Sequence, residues 1–220
     1  MDAARRTKYL VFGLAGALLV VVAGSMLYGV KKKRDLESSA VAGASDATAR
    51  LRDAVSGKVD AARVQAHADA VTLHIETLGR EDASRAKALA EAAALYLTDV
   101  QAILRNQATA LRSRAAATAS RRALAAHLAH AADRGPGWIQ QAVALKTKAE
   151  RDNFDYRTAM GALARLYFTH RESQDKLRAV APQVPLLEEE LRARLHQQAK
   201  DAETEAQAEI ERIRTMALPR

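Results

Sequence analysis

The chain contains no cysteine, which excludes disulfide staples, thiolate-held zinc and a cysteine nucleophile. Aromatic residues make up only 4% of its 220 residues, and proline occurs four times. Alanine, leucine, arginine and glutamate take their place. Such residues lose little conformational freedom in a helix, so the balance favours long helices over sheets. The motifs of common enzyme sites are also missing. There is no phosphate-cradling G-x-x-x-x-G-K-[ST], no G-x-S-x-G, no H-E-x-x-H and no EF-hand loop. The E-x-x-H pairs that load di-iron helical bundles are absent as well. We therefore expect a non-enzymatic protein with no catalytic residue, cofactor or resident metal.

Net charge is concentrated in the first 34 residues. Those carry seven Lys/Arg against one acid, a net +6, whereas the remainder is only +2. No stacking aromatics accompany the arginines, so nucleic acid is not an expected partner. The positive excess instead flanks residues 9–30, YLVFGLAGALLVVVAGSMLYGV, which hold no charge. Twenty-two helical residues reach about 33 Å, enough to cross a hydrocarbon core of about 30 Å. Tyr9 and Tyr28 stand near its ends, as interfacial rings do. The run is longer than a signal-peptide core, and Lys31, Lys32, Lys33 and Arg34 follow it directly. Those features fit a retained anchor better than a cleaved signal. The four-residue basic block favours a cytoplasmic over an exported domain and is expected to lie at the membrane surface. Gly13, Ala17 and Gly24 share a face of the span, which suits close packing on a partner helix or self-association.

The expected organisation is a basic tail (1–8), a transmembrane helix (9–30), a basic collar and linker (31–45), and a helical bundle (46–217). Gly79-Arg80-Glu81-Asp82, Gly135-Pro136-Gly137 and Pro182-Gln183-Val184-Pro185 divide that bundle into segments near 46–78, 83–134, 138–180 and 186–217. Apolar stripes at alternating three and four mark each helix. They include Val64, Ala68, Val71, Ile75 and Leu78, then Leu89, Ala93, Leu97, Val100, Leu104, Ala108 and Leu111. Leu187, Leu191, Leu195, Ala199, Ala202, Ala206, Ile210 and Ile213 form another. The fold class is thus all-α: a single N-terminal transmembrane helix followed by an elongated antiparallel, coiled-coil-like bundle. Trp138, Phe154, Tyr156, Tyr167 and Phe168 are expected to make its thickest core, the alternative being an exposed partner-binding face.

Few residues suggest chemistry. His127, His130 and Asp133 recur every three positions on one helix and form the one weak metal candidate, short of a ligand from a second element. Asp60, His67 and His74 repeat every seven and read as a polar outer face. Residues 105–134 are net +5 and residues 188–211 net −5, suited to mutual pairing or to separate partners. If the first helix runs unbroken from residue 34 to 79 and the next returns, Arg112, Arg114, Arg121 and Arg122 come back to the bilayer surface near the basic collar. The function expected is a membrane-anchored scaffold or accessory subunit whose partners are the lipid bilayer and other protein subunits. The alternative is an extracytoplasmic sensory or ligand-binding four-helix module.

Overall fold

The computed structural model describes residues 3–80, 84, 86–130, 135 and 137–218, with side chains from Ser25 onward. It is all-helical over the described residues. Five helices follow one another: α1 (Ala3–Val55), α2 (Ala61–Arg80), α3 (Lys87–Ala129), α4 (Trp138–Val180) and α5 (Glu189–Thr215). Short connections reverse the chain each time, which gives antiparallel neighbours. α3 is central, packed by α1, α2 and α4, and α5 packs mainly on α4.

The apolar stripes bury as their spacing requires. Val64, Ala68, Val71 and Leu78 of α2 meet Ala93, Leu97, Val100, Leu104 and Ala108 of α3 in the main core, joined by Leu163, Tyr167 and Leu177 of α4. A second, much smaller core lies at the far end, where Leu124, Ala149 and Ile213 meet. Many stripe residues are alanine, so the helices approach closely and each contact removes little area from water.

Two expectations need correction. Residues 31–45 are not a linker: α1 continues through them, and Leu36, Ala40 and Ala44 are fully buried in the main core. The helix then breaks at residues 56–60, so the path from 34 to 79 is a hairpin and not one rod. Gly57 supplies the turn with a φ of +74°, a conformation that costs other residues a steric penalty. Asp60 then caps α2, its Oδ1 accepting from the Arg63 amide at 2.8 Å.

Among the described residues, no helix is long and apolar enough to cross a membrane. The expected span, residues 9–30, falls for most of its length on residues 1–24, whose side chains lie outside the description. The proposed packing face of Gly13, Ala17 and Gly24 lies outside it too.

Candidate functional site

The densest polar chemistry lies inside the bundle, where α1, α3 and α4 meet the α4–α5 connection. Thr48 donates to the Ala44 carbonyl at 2.9 Å, as a helical threonine with no water to contact does. Its oxygen is then free to accept from the Tyr96 hydroxyl at 2.6 Å. The Tyr96 ring stacks on His170, with centroids 5.1 Å apart. Burial pushes the Tyr96 phenol up to about 12, against the pull of the Thr48 bond and the Arg52 charge. His170 is wholly buried, and burial, followed by the positive charge of Arg192, brings its imidazole down to about 4. Its Nδ1 stands 4.0 Å from Asp99 and 3.4 Å from Ser173 Oγ. Its Nε2 has no partner among the described residues, and neither does the Tyr167 hydroxyl.

The same layer anchors the loop before α5. Buried Arg192 donates to the Tyr167 carbonyl at 2.9 Å and grips Glu189 through both Nε and Nη2. Gln174 donates to the Leu187 carbonyl at 3.0 Å, and Arg52 to the Leu186 carbonyl at 2.8 Å. The last two bonds satisfy loop carbonyls that no helix ladder serves, while the Arg192 bond ties α5 to the middle of α4. Chemically, the layer holds a neutral imidazole and two neutral phenols at physiological pH. Its effect is to fix α1, α4 and the loop in one register.

A second polar set joins α1 to α2. His74 Nε2 donates to Asp46 at 2.9 Å, and His67 Nε2 donates to Asp53 at 2.8 Å. Arg50 bridges them, with Nε on Asp46 at 2.6 Å and Nη1 3.3 Å from His67 Nδ1. Arg63 adds a contact to Asp53 at 3.2 Å. Burial works to raise the Asp46 carboxyl, but its bonds to Arg50 and His74 outweigh that and hold it below the usual range. His67 chiefly does the same for Asp53. Gly43 eases this approach, because a Cβ there would stand 3.3 Å from the His74 ring and push it back slightly.

The residues singled out from the sequence are scattered. His127 donates through Nε2 to the Trp138 carbonyl at 3.0 Å and stacks on that indole, so it clasps the α3–α4 connection. His130 lies at the exposed end of α3, and Asp133 lies outside the described residues. No group of three potential metal ligands occurs among the described residues. Lys31, Lys33 and Arg34 are exposed on α1 and Lys32 is half-buried, with Lys33 3.7 Å from Glu37.

The arginines of α3 do not return to that collar. Thr48 and Tyr96 touch, and α1 runs parallel to α3. Arg34 lies fourteen residues before Thr48 and Arg112 sixteen after Tyr96, so about 45 Å of helix axis separates them. Arg112, Arg114 and Arg122 are exposed at the far end, and Arg121 reaches across to Glu209 of α5 at 3.8 Å. That contact realises part of the pairing expected between the basic and acidic stretches. The aromatics of α4 divide: Trp138 and Tyr167 are buried, whereas Phe154 and Phe168 are exposed.

Sequence reasoning missed the Asp46–His74 and Asp53–His67 pairs because it missed the turn. The signal was present, since Ser56-Gly57 is a turn dipeptide. Both pairs also share a seven-residue spacing that a hairpin brings into register. Compared with protein-family models, characterised proteins and solved structures, the chain matches none.

Proposed function

We propose that this chain is a non-enzymatic scaffold or accessory subunit, anchored in a membrane by residues 9–30 and holding its helical bundle on the cytoplasmic side within a larger assembly. The observation that carries this is α1. One helix of 53 residues includes both the uncharged run and the core residues Leu36, Ala40, Ala44, Ala47 and Leu51. An anchor joined to a domain by a flexible linker leaves the domain free to tumble. Here the helix that crosses the bilayer is itself a wall of the bundle, bonded to α3 through Thr48 and to α2 through Asp46 and Asp53. The bundle is then held at a set height and rotation, which is what positioning a partner requires. Sixteen residues separate Val30 from Ala47, about 25 Å of rise.

Two measurements test this. After carbonate extraction of membranes, the full chain is expected to stay in the pellet, and replacing Leu18, Val20 and Val22 with lysine is expected to release it. Affinity purification in mild detergent is expected to recover fixed-stoichiometry subunits. A wild-type chain recovered in the carbonate supernatant overturns the anchor, and a chain that purifies alone overturns the subunit role.

A further inference from the structure

Large apolar side chains exposed beyond residue 30 are concentrated on one helix. Among the described residues, Ile139, Val143, Phe154, Phe168 and Val180 all belong to α4, leaving only Leu73 and Leu95 elsewhere. Phe154 and Phe168 are fourteen residues apart, four helical turns and about 21 Å, so they share a face. Phe168 is 69% exposed. It forms the wall of an open groove of about 490 Å³ between α4 and α5, beside Ala164, Arg165, His196, Lys200 and Glu203. His196 is fixed there by its Nδ1–H, which donates to the Ala164 carbonyl at 2.7 Å, and its ring lies 6.0 Å from that of Phe168. The groove is built on rigid helices.

Its charge points to the occupant. Arg165 and Lys200 pair with no carboxylate among the described residues. Arg157, whose guanidinium sits 5.0 Å over the Phe154 ring, is held by the neutral Gln207. Three cations here face the single acid Glu203, and the acids one turn beyond either phenylalanine, Glu150 and Glu172, are already neutralised by Arg214 and Lys176, which leaves an unbalanced positive charge between them. Exposed aromatics beside unpaired cations suit a partner that is both apolar and acidic. A second copy of this chain does not offer that combination. The acid-rich helix is α5, and its apolar residues Ala199, Ala206, Ile210 and Ile213 are turned into the bundle.

We propose that the outer face of α4 and its groove with α5 dock an acidic amphipathic helix of a partner subunit. Apolar side chains of that helix about four turns apart cover Phe154 and Phe168, and its carboxylates meet Arg157, Arg165 and Lys200. This rests on the scaffold reading, since the partner is a subunit of the proposed assembly. An open groove with a protruding ring fits the helix-in-groove mode better than enclosure of a small molecule.

The probe is a labelled helical peptide of about twenty residues with phenylalanines fourteen apart and glutamates between them, titrated onto the full chain in detergent micelles. A matched peptide carries lysine in place of glutamate. The acidic peptide is expected to bind at least about tenfold tighter than the basic one. Phe154→Ala with Phe168→Ala, and separately Arg165→Gln with Lys200→Gln, are expected to weaken it about tenfold each, the usual effect of losing central contacts. Leu73→Ala, at an equally exposed position on α2, is expected to change nothing. Circular dichroism melts check that each variant folds, and Lys200→Glu gives the same readout if a double variant does not. No binding, equal binding of both peptides, or affinity unchanged in the α4 and α5 variants overturns the proposal. Loss of membrane retention with peptide binding intact overturns only the anchor, and the reverse result overturns only the groove.

Discussion

The two ends of the bundle use overlapping helices but are held together differently. Near the collar, α1, α2, α3 and α4 surround one large core containing Leu36, Leu51, Leu97, Leu104, Leu163 and Leu177, closed on one side by Leu187 just before α5 and Ala199 within it. Beyond the turn at residues 56–60, only α3, α4 and α5 continue, around Leu124, Ala149 and Ile213. There, Lys146 donating to the carbonyls of Arg214 and Met216, the Arg214–Glu150 contact and the Arg121–Glu209 contact supplement a thin apolar centre. Exposed ion pairs contribute little compared with buried side chains. The collar end should therefore set global stability, while the far end opens locally at low cost.

Leucine truncation separates the two most strongly. Leu97→Ala removes a fully buried side chain from the main core and is expected to cost about 4 kcal/mol. Leu124→Ala, in the small core, is expected to cost about half of that, because three helices relax around a void more easily than four. Chemical denaturation measures both. Equal losses would mean that the small core is as tightly coupled as the large one.

Acidification acts on the collar end through His170. The unfolded imidazole titrates near 6.5 and the folded one at about 4. Between those values the unfolded chain takes up a proton that the folded chain refuses, so stability falls as pH drops through that window and levels off below it. The full loss is roughly 3 kcal/mol from that separation. Asp46, Asp53 and Glu209 are held below their usual range, so their contribution is present above it and is lost only at still lower pH. His170→Gln is expected to flatten the stability profile between pH 6.5 and 4 while leaving the steeper acid limb. A profile unchanged by that substitution would assign the window to other groups.

How much of this was legible follows from what each feature depends on. Helix positions were readable because the apolar period is a local property: Val64 through Leu78 and Leu89 through Leu111 mark the faces that bury. The α1–α2 turn was overlooked although Ser56-Gly57 marks it, because a single dipeptide without proline is weak punctuation inside an alanine-rich helical run. That single turn decided the rest. It placed Arg112 far from the collar and matched Asp53 with His67. The buried layer was harder to read, because Thr48, Tyr96 and His170 are distant in sequence and none carries a motif. Phe154 and Phe168 looked like core residues, since spacing alone does not say which side of α4 its neighbours take.

Gly57 offers a smaller test of the same hairpin. A side chain there meets no obstruction, as nothing lies within 4 Å of a Cβ, so only the backbone conformation resists it. Gly57→Ala is expected to cost about 1 kcal/mol. Gly57→Asn, which tolerates the left-handed region, is expected to cost less. A neutral alanine variant would mean that the turn has an alternative conformation of equal energy.

The smallest effect expected is at the far end, and it is also the most local. Arg121 and Glu209 lie 3.8 Å apart, and Arg212 also holds Glu209, at 2.6 Å. Glu209 is mostly covered, but it keeps its closer partner Arg212, so losing the longer contact to half-exposed Arg121 costs on the order of 0.5 kcal/mol. Arg121→Gln should therefore leave global denaturation unchanged. Opening of α5 against α3 should still become more frequent, because few apolar contacts resist it there. Amide hydrogen exchange separates these outcomes: faster exchange is expected near Ala206–Ile213 of α5, with Val100–Leu104 of α3 unaffected. Accelerated exchange at both places would mean that the two ends unfold as one unit, and that the far end is not an independently opening tip.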